Sequence, residues 1–288
     1  NDIPWDLYEE GDPAFLKDLY RRLAYQEGEI SHLTDGAAKL ADRWNLGEDY
    51  WNNSSVGLWS PMGYPVHHAN ESNAQVGSLI NLIFNRDPMC HSHQNFLGSG
   101  LPIKLQKEIA AELWGSKDAI DVPANYTPMN KAKARFAKWS LVRNVLHDSM
   151  TVCNWMFPMA TSPLKDRNYR GDTTIEAKYF SQATGMKVSE EELDEMGHRI
   201  LTLHRALTVK QMGTVDMRNK HDQIVDWVYE MDPDKEPFEA GTIKMDREDM
   251  KKAKTMLYEE LGWDSETGAP TAKTLDELGL SDVKKELA

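Results

Sequence analysis

Apolar residues recur at helical rather than strand spacing along most of the chain, and the densest run lies between Leu141 and Ala160. Leu141, Val142, Val145, Leu146 and Met150 keep a three-to-four residue spacing, which predicts a helix from about Met129 to Met150 with one buried face. Lys131, Lys133, Arg135 and Lys138 fall on its expected wet side, where they either pair with an acidic partner surface or are simply solvated. Pro158 and Pro163 stop the run.

Other helices read the same way. Asp12-Pro13 offers a cap and a first-turn proline to a helix with Phe15, Leu16, Leu19, Leu23 and Ala24 on its apolar side, ended by Gly28. A second is expected from about Ser31 to Asn45, then others over 71–86, Leu101–Trp114 and Ile175–Gly185. Ser189 with Glu192 forms a capping box for a long helix that Gly213 ends. A closing helix over Asp246–Gly262 precedes a Gly-Ala-Pro turn and a short final helix. No stretch alternates convincingly at period two, so the fold class is mainly α. Residues 48–70 lack periodicity and carry Gly and Ser-Pro breakers, which places a domain boundary there, dividing 1–55 from 56–288.

Charge and composition narrow the function. The chain has 288 residues and a formal charge of −13, with no basic stripe, so nucleic acid is not an expected partner. No apolar run reaches the ~18 residues of a spanning helix, and the acidic opening does not read as a signal peptide. Two cysteines, Cys90 and Cys153, suit a reducing, cytoplasmic compartment.

The candidate chemistry sits in three places. Asp148 and Cys153 lie five apart inside the apolar run, where the thiol is either a small core residue or a metal ligand at a helix end. Cys90, His91 and His93 form a polar knot after Arg86; the i, i+2 histidines converge on a metal only from a strand. Arg205 and His198 are seven apart and so share a helix face, either to meet an anionic ligand or to face water.

Taken together, several segments resemble the tungsten-containing aldehyde ferredoxin oxidoreductase family, which also includes the related tungsten-dependent aryl-CoA reductases. The end, YEELGWDSETGAPTAKTLDELGL, resembles its closing segment, and FLKDLYRRLAYQEGEISHLTDGAAKLADRW resembles its helical pair. Asp148-Ser-Met-Thr-Val-Cys153 keeps the aspartate-to-cysteine spacing of its late motif, with Thr151-Val152 where the family has Gly-Leu. Arg86 with Cys90-His91 resembles its segment ending in Cys-His, and Arg205 with Asp216 to Asp222 its late arginine and polar loop. Ser60-Pro61-Met62 and Lys210-Gln211-Met212 depart from the family's pattern.

The resemblance implies the helical second and third domains of such an enzyme, without its N-terminal β-rich domain: 1–55 as the remainder of the middle domain, 56–288 as the C-terminal domain. It implies a bis-pterin cofactor carrying tungsten or molybdenum (tungstopterin) and a [4Fe–4S] cluster. Asp148 would hydrogen-bond the pterin, Cys153 would be the cluster's fourth ligand, Arg86 and Arg205 would bind cofactor, and His91 would transfer protons near the metal. Two cysteines cannot hold a cluster that needs four thiolates, so a cysteine-rich N-terminal portion or separate subunit is an expected partner, within an oligomer. The implied activity interconverts an aldehyde and a carboxylic acid, with a ferredoxin-like electron carrier. Reduction of an aryl-CoA substrate is the near alternative, and a non-catalytic helical interaction module the distant one.

Overall fold

The computed structural model describes residues 3–35, 40, 43–45, 74–83, 100–122, 125–153, 156–157, 159–224, 227–230, 232–242 and 244–287. The expected 55/56 boundary, Arg86, Cys90, His91 and His93 lie outside them.

The chain opens with α1 (Trp5–Glu9) and α2 (Ala14–Tyr25), joined by the rings of Trp5, Tyr8 and Phe15 at 5.2–6.1 Å. The Asp12 carboxylate accepts from Ala14 N at 2.8 Å, as the Asp-Pro pair predicts. Residues Gly28–Asp35 form a 3₁₀ helix rather than the first turns of the expected second α-helix. Ser31 Oγ donates to Gly28 O at 2.7 Å and Thr34 Oγ1 to Ser31 O at 2.6 Å, so hydroxyls reinforce the three-residue repeat.

Next come α3 (Ala74–Ile83), α4 (Ile103–Trp114), closed by Gly115, and α5 (Lys131–Met150). Asn130 caps α5 by accepting from Lys133 N at 3.0 Å. Beyond it, β1 (Met159–Thr161) and β2 (Arg170–Asp172) pair antiparallel across the Lys165–Arg167 turn. Three residues per strand are too few for a period-two signal. Then follow α6 (Ile175–Thr184), α7 (Glu190–Met212), α8 (Met217–Lys220), α9 (Trp227–Glu230), α10 (Arg247–Leu261) and α11 (Ala272–Glu277). The capping box of α7 is complete: Glu192 N donates to Ser189 Oγ at 3.1 Å and Ser189 N to Glu192 Oε2 at 2.8 Å.

Helix α5 is the hub, packed by α3, α4, α7 and α10. The expected single buried face is corrected by this crowding: every residue from Ser140 to His147 is buried, the polar ones included. Removing the side chains of Phe136 or Leu141 from water is worth about 1.5–3 kcal/mol each. α7 comes close enough that a Cβ on Gly197 would lie 2.7–2.9 Å from Leu146 and Val142 side-chain atoms.

The expected wet row of cations is also broken. Lys133 is fully buried, donating from Nζ to Asp121 Oδ2 at 2.7 Å, Thr127 O at 2.6 Å and Thr127 Oγ1 at 3.1 Å. All three of its N–H bonds are thereby matched, which is what makes a buried ammonium tolerable. Lys131 and Arg135 remain exposed.

Candidate functional site

The last turn of α5 carries Asp148 out of the core. Val152 N donates to His147 O at 3.0 Å and Thr151 N to Asp148 O at 3.3 Å, the paired bonds of a Schellman ending. That ending needs a left-handed residue, and Thr151 supplies it with φ of 56°. The family pattern's glycine would sit there without strain, whereas a β-branched residue costs about 1–2 kcal/mol in this region. Thr151→Gly is therefore expected to raise stability by about 0.5–1 kcal/mol, after the entropic cost of glycine; a urea midpoint equal to or below wild type would contradict this.

Asp148 and Cys153 are both exposed, which overturns the expectation of a buried carboxylate and thiol. The cause is the sharp cap: His147 is the last buried residue, and the chain beyond turns outward. Cys153 forms no disulfide, and its carbonyl accepts from Met156 N at 3.0 Å and Phe157 N at 3.1 Å. Phe157 lies against both His147 and Tyr179, with ring centres 6.3 and 5.9 Å away.

The root of this exposed tip is held by charge. His147 Nε2 lies 3.2 Å from Glu176 Oε1 on α6, and the same oxygen lies 3.2 Å from Arg143. Arg143 also donates to Thr173 O at 2.8 Å and meets Glu190 at 2.6 Å and Asp194 at 2.7 Å, both on α7. Burial works against the guanidinium's charge, yet Asp194, Glu176 and Glu190 together hold its pKa above the arginine norm. Burial lifts the Asp194 carboxyl above its ordinary range despite the pull of Arg143. Nothing local in the sequence marks Glu176, Glu190 or Asp194 as partners of Arg143.

Arg205, expected by resemblance to bind cofactor, is turned inward instead. It is 2% exposed, with Nε donating to Gly268 O at 2.9 Å and both terminal nitrogens to the carboxylate of Asp222. Tyr258 also donates to that carboxylate, His221 Nδ1 lies 2.8 Å from it, and Lys254 donates to the Asp222 carbonyl. Gly268, at φ +73°, lets its backbone approach: a Cβ there would fall 2.8 Å from the Tyr258 ring. Nor does His198 add a cation. Burial, helped by Lys138, pushes its imidazole down to about 4, and Nε2 donates to Leu261 O at 3.0 Å. The anion-binding pair expected on α7 is thus an internal clamp and a neutral ring.

An exposed cysteine can serve a soft metal as thiolate, and an exposed carboxylate can accept hydrogen bonds from a polar ligand. Among the described residues no three His, Cys, Asp or Glu side chains are grouped to hold a metal by themselves. Among them, too, no helix is long and apolar enough to cross a membrane.

Known proteins give three points of comparison. Residues 4–280 match the family model for aldehyde ferredoxin oxidoreductase, domains 2 & 3. The aliphatic sulfonate oxidoreductase, WOR-like subunit, of Pyrococcus furiosus is 31% identical over 150 residues, 49% of this chain and 20% of that protein. The active site complex BamBC of benzoyl coenzyme A reductase, solved with 1,5-dienoyl-CoA, has a similar fold: TM-score 0.56 at 18% identity, over 99% of this chain and 43% of that one. The chain matches about a fifth of the length of the first and less than half of the second.

Proposed function

Because this chain belongs to the aldehyde ferredoxin oxidoreductase family and carries its helical second and third domains, we propose that it forms part of a tungsten- or molybdenum-pterin oxidoreductase. The proposed reaction takes an aldehyde and water to a carboxylic acid, two protons and two electrons, reversibly, with the electrons leaving through a [4Fe–4S] cluster to a ferredoxin-like carrier. The observation that carries this reading is the exposed tip with Asp148 and Cys153, set at the end of the fully buried stretch Ser140–His147 of α5.

Those two residues fit the cofactors in kind. Cys153 would give the cluster one thiolate, and Asp148 would accept hydrogen bonds from the pterin. The other three thiolates would come from a cysteine-rich N-terminal portion or a partner chain, with 56–288 as the domain facing them and 1–55 as the remainder of the middle domain. When bound, the metal pterin supplies two-electron chemistry at the substrate carbon and the cluster passes electrons singly. The chain's own part is to hold and orient. Phe157, packed against His147, fixes the chain just beyond Cys153 to the buried frame. His91 would accept or donate the proton, since imidazole titrates nearest neutrality, and Arg86 would hold cofactor.

Cys153→Ala in the intact protein is expected to lose cluster iron, whereas Cys90→Ala retains it. Iron per chain measures both; a Cys153→Ala protein with full iron, or equal loss from the two variants, would overturn the assignment.

A further inference from the structure

Away from the exposed tip, α4, α5 and α7 enclose a cleft of about 340 Å³, a size typical of small-molecule sites. Val142, the α5 residue of its lining nearest the tip, is eight residues from Met150, about 12 Å along the axis at 1.5 Å per residue, and Arg135 and Lys138 lie farther still from the Cys153 end.

Its apolar wall is aromatic and fixed. Trp114 is stacked on Phe136 with centres 3.9 Å apart, and Trp139 meets Trp114 edge-on at 5.5 Å. Arg143 lies 5.4 Å from the Trp139 ring centre on its own account, which further sets that ring. Such walls favour a flat ring over a flexible chain.

Its polar wall is cationic. Arg135 and Lys138 are three apart on α5 and both line the cleft. Lys138 gives one hydrogen bond, to Glu260 O at 2.6 Å, and Arg135 forms an ion pair from Nε to Glu260 Oε1 at 3.5 Å, which leaves its terminal nitrogens. Among the described residues both therefore keep N–H donors to offer. Of the acidic side chains lining the cleft, Asp194 is engaged by Arg143, and Glu195 is exposed and disfavours a second negative charge on a ligand. His198, also in the wall, is neutral near pH 7 because burial pushes it down to about 4.

We infer that this cleft is a binding site for a small aromatic monocarboxylate, its ring against Trp139, which the buried Trp114 backs, and its carboxylate on Arg135 and Lys138. The site does not depend on the redox reading, since neither Arg135 nor Lys138 belongs to the tip and Asp194 alone is shared with the charges at its root.

The test is calorimetric titration of the intact protein with phenylacetate, and with phenethylamine as the charge-reversed probe. Phenylacetate is expected to bind saturably. Arg135→Gln and Lys138→Met should each weaken it about tenfold, the loss of one charge-assisted contact, and phenethylamine should bind at least about tenfold more weakly. Arg135 is exposed, so its variant tests the site even if Lys138→Met fails to fold. No saturable binding of phenylacetate, unchanged affinity in Arg135→Gln, or phenethylamine binding as well as phenylacetate would each overturn the assignment.

Discussion

Arg205→Met is expected to lower the stability of the intact protein by about 3–5 kcal/mol, the usual cost of breaking one side of a buried ion pair. The size follows from what is left behind. Asp222 is fully buried, and without the guanidinium its carboxylate keeps, among the described residues, only Tyr258 and His221. In the native protein burial works to raise the Asp222 carboxyl, but the guanidinium and His221 outweigh it and hold it at about 2, below the ordinary 3.8. A depressed carboxylate stabilises the fold above its unfolded pKa, and that contribution is lost as pH falls through 3.8 toward about 2. The gap between wild type and Arg205→Met should therefore be widest near neutral pH and narrow in acid. Adding Asp222→Asn to Arg205→Met should recover part of the loss, since no charge then remains unpaired. Urea denaturation at two pH values checks this; a single variant within about 1 kcal/mol of wild type would mean that the clamp contributes little.

Arg143→Met is expected to cost a similar ~3–5 kcal/mol, for a different reason. One guanidinium serves three carboxylates, Glu176, Glu190 and Asp194, so its loss leaves mutual repulsion as well as desolvation. The Asp194 carboxyl already stands above its ordinary pKa because of burial. A group raised in this direction opposes folding when ionised, so stability is gained as pH falls through its folded pKa. Removing the cation strengthens that behaviour, and the variant should become relatively more stable in mild acid than at pH 7. Thermal melts across that range distinguish the two arginines: if Arg143→Met showed no gain on acidification, the carboxylates would not be the source of its defect.

Most helices were legible because their signals are local. The Ser189–Glu192 box, the Gly213 stop and the closing helix over Asp246–Gly262 each rest on nearby residues, and the structure places them where they read. The burial of α5 was not. A helix wheel sends Lys133, Arg143 and His147 to water, and only partners far along the chain reverse this: Asp121 is 12 residues from Lys133, Glu176 29 from His147, Asp194 51 from Arg143. The same blindness assigned Arg205 to a ligand rather than to Asp222, 17 residues on. At the tip, the Asp148–Cys153 spacing was visible, but its exposure depends on Thr151 adopting a left-handed turn that its side chain gave no reason to expect.

A stretch of helix with no wet side cannot loosen one residue at a time. From Ser140 to His147, freeing a single amide means parting α5 from its neighbours, so this stretch opens only with a large part of the fold. Beyond His147 the side chains reach solvent, and the segment bearing Cys153 is held only by the bonds of the helix end and by Phe157 against His147 and Tyr179 among the described residues. The boundary between the slowest and the faster-opening backbone thus falls one residue before Asp148.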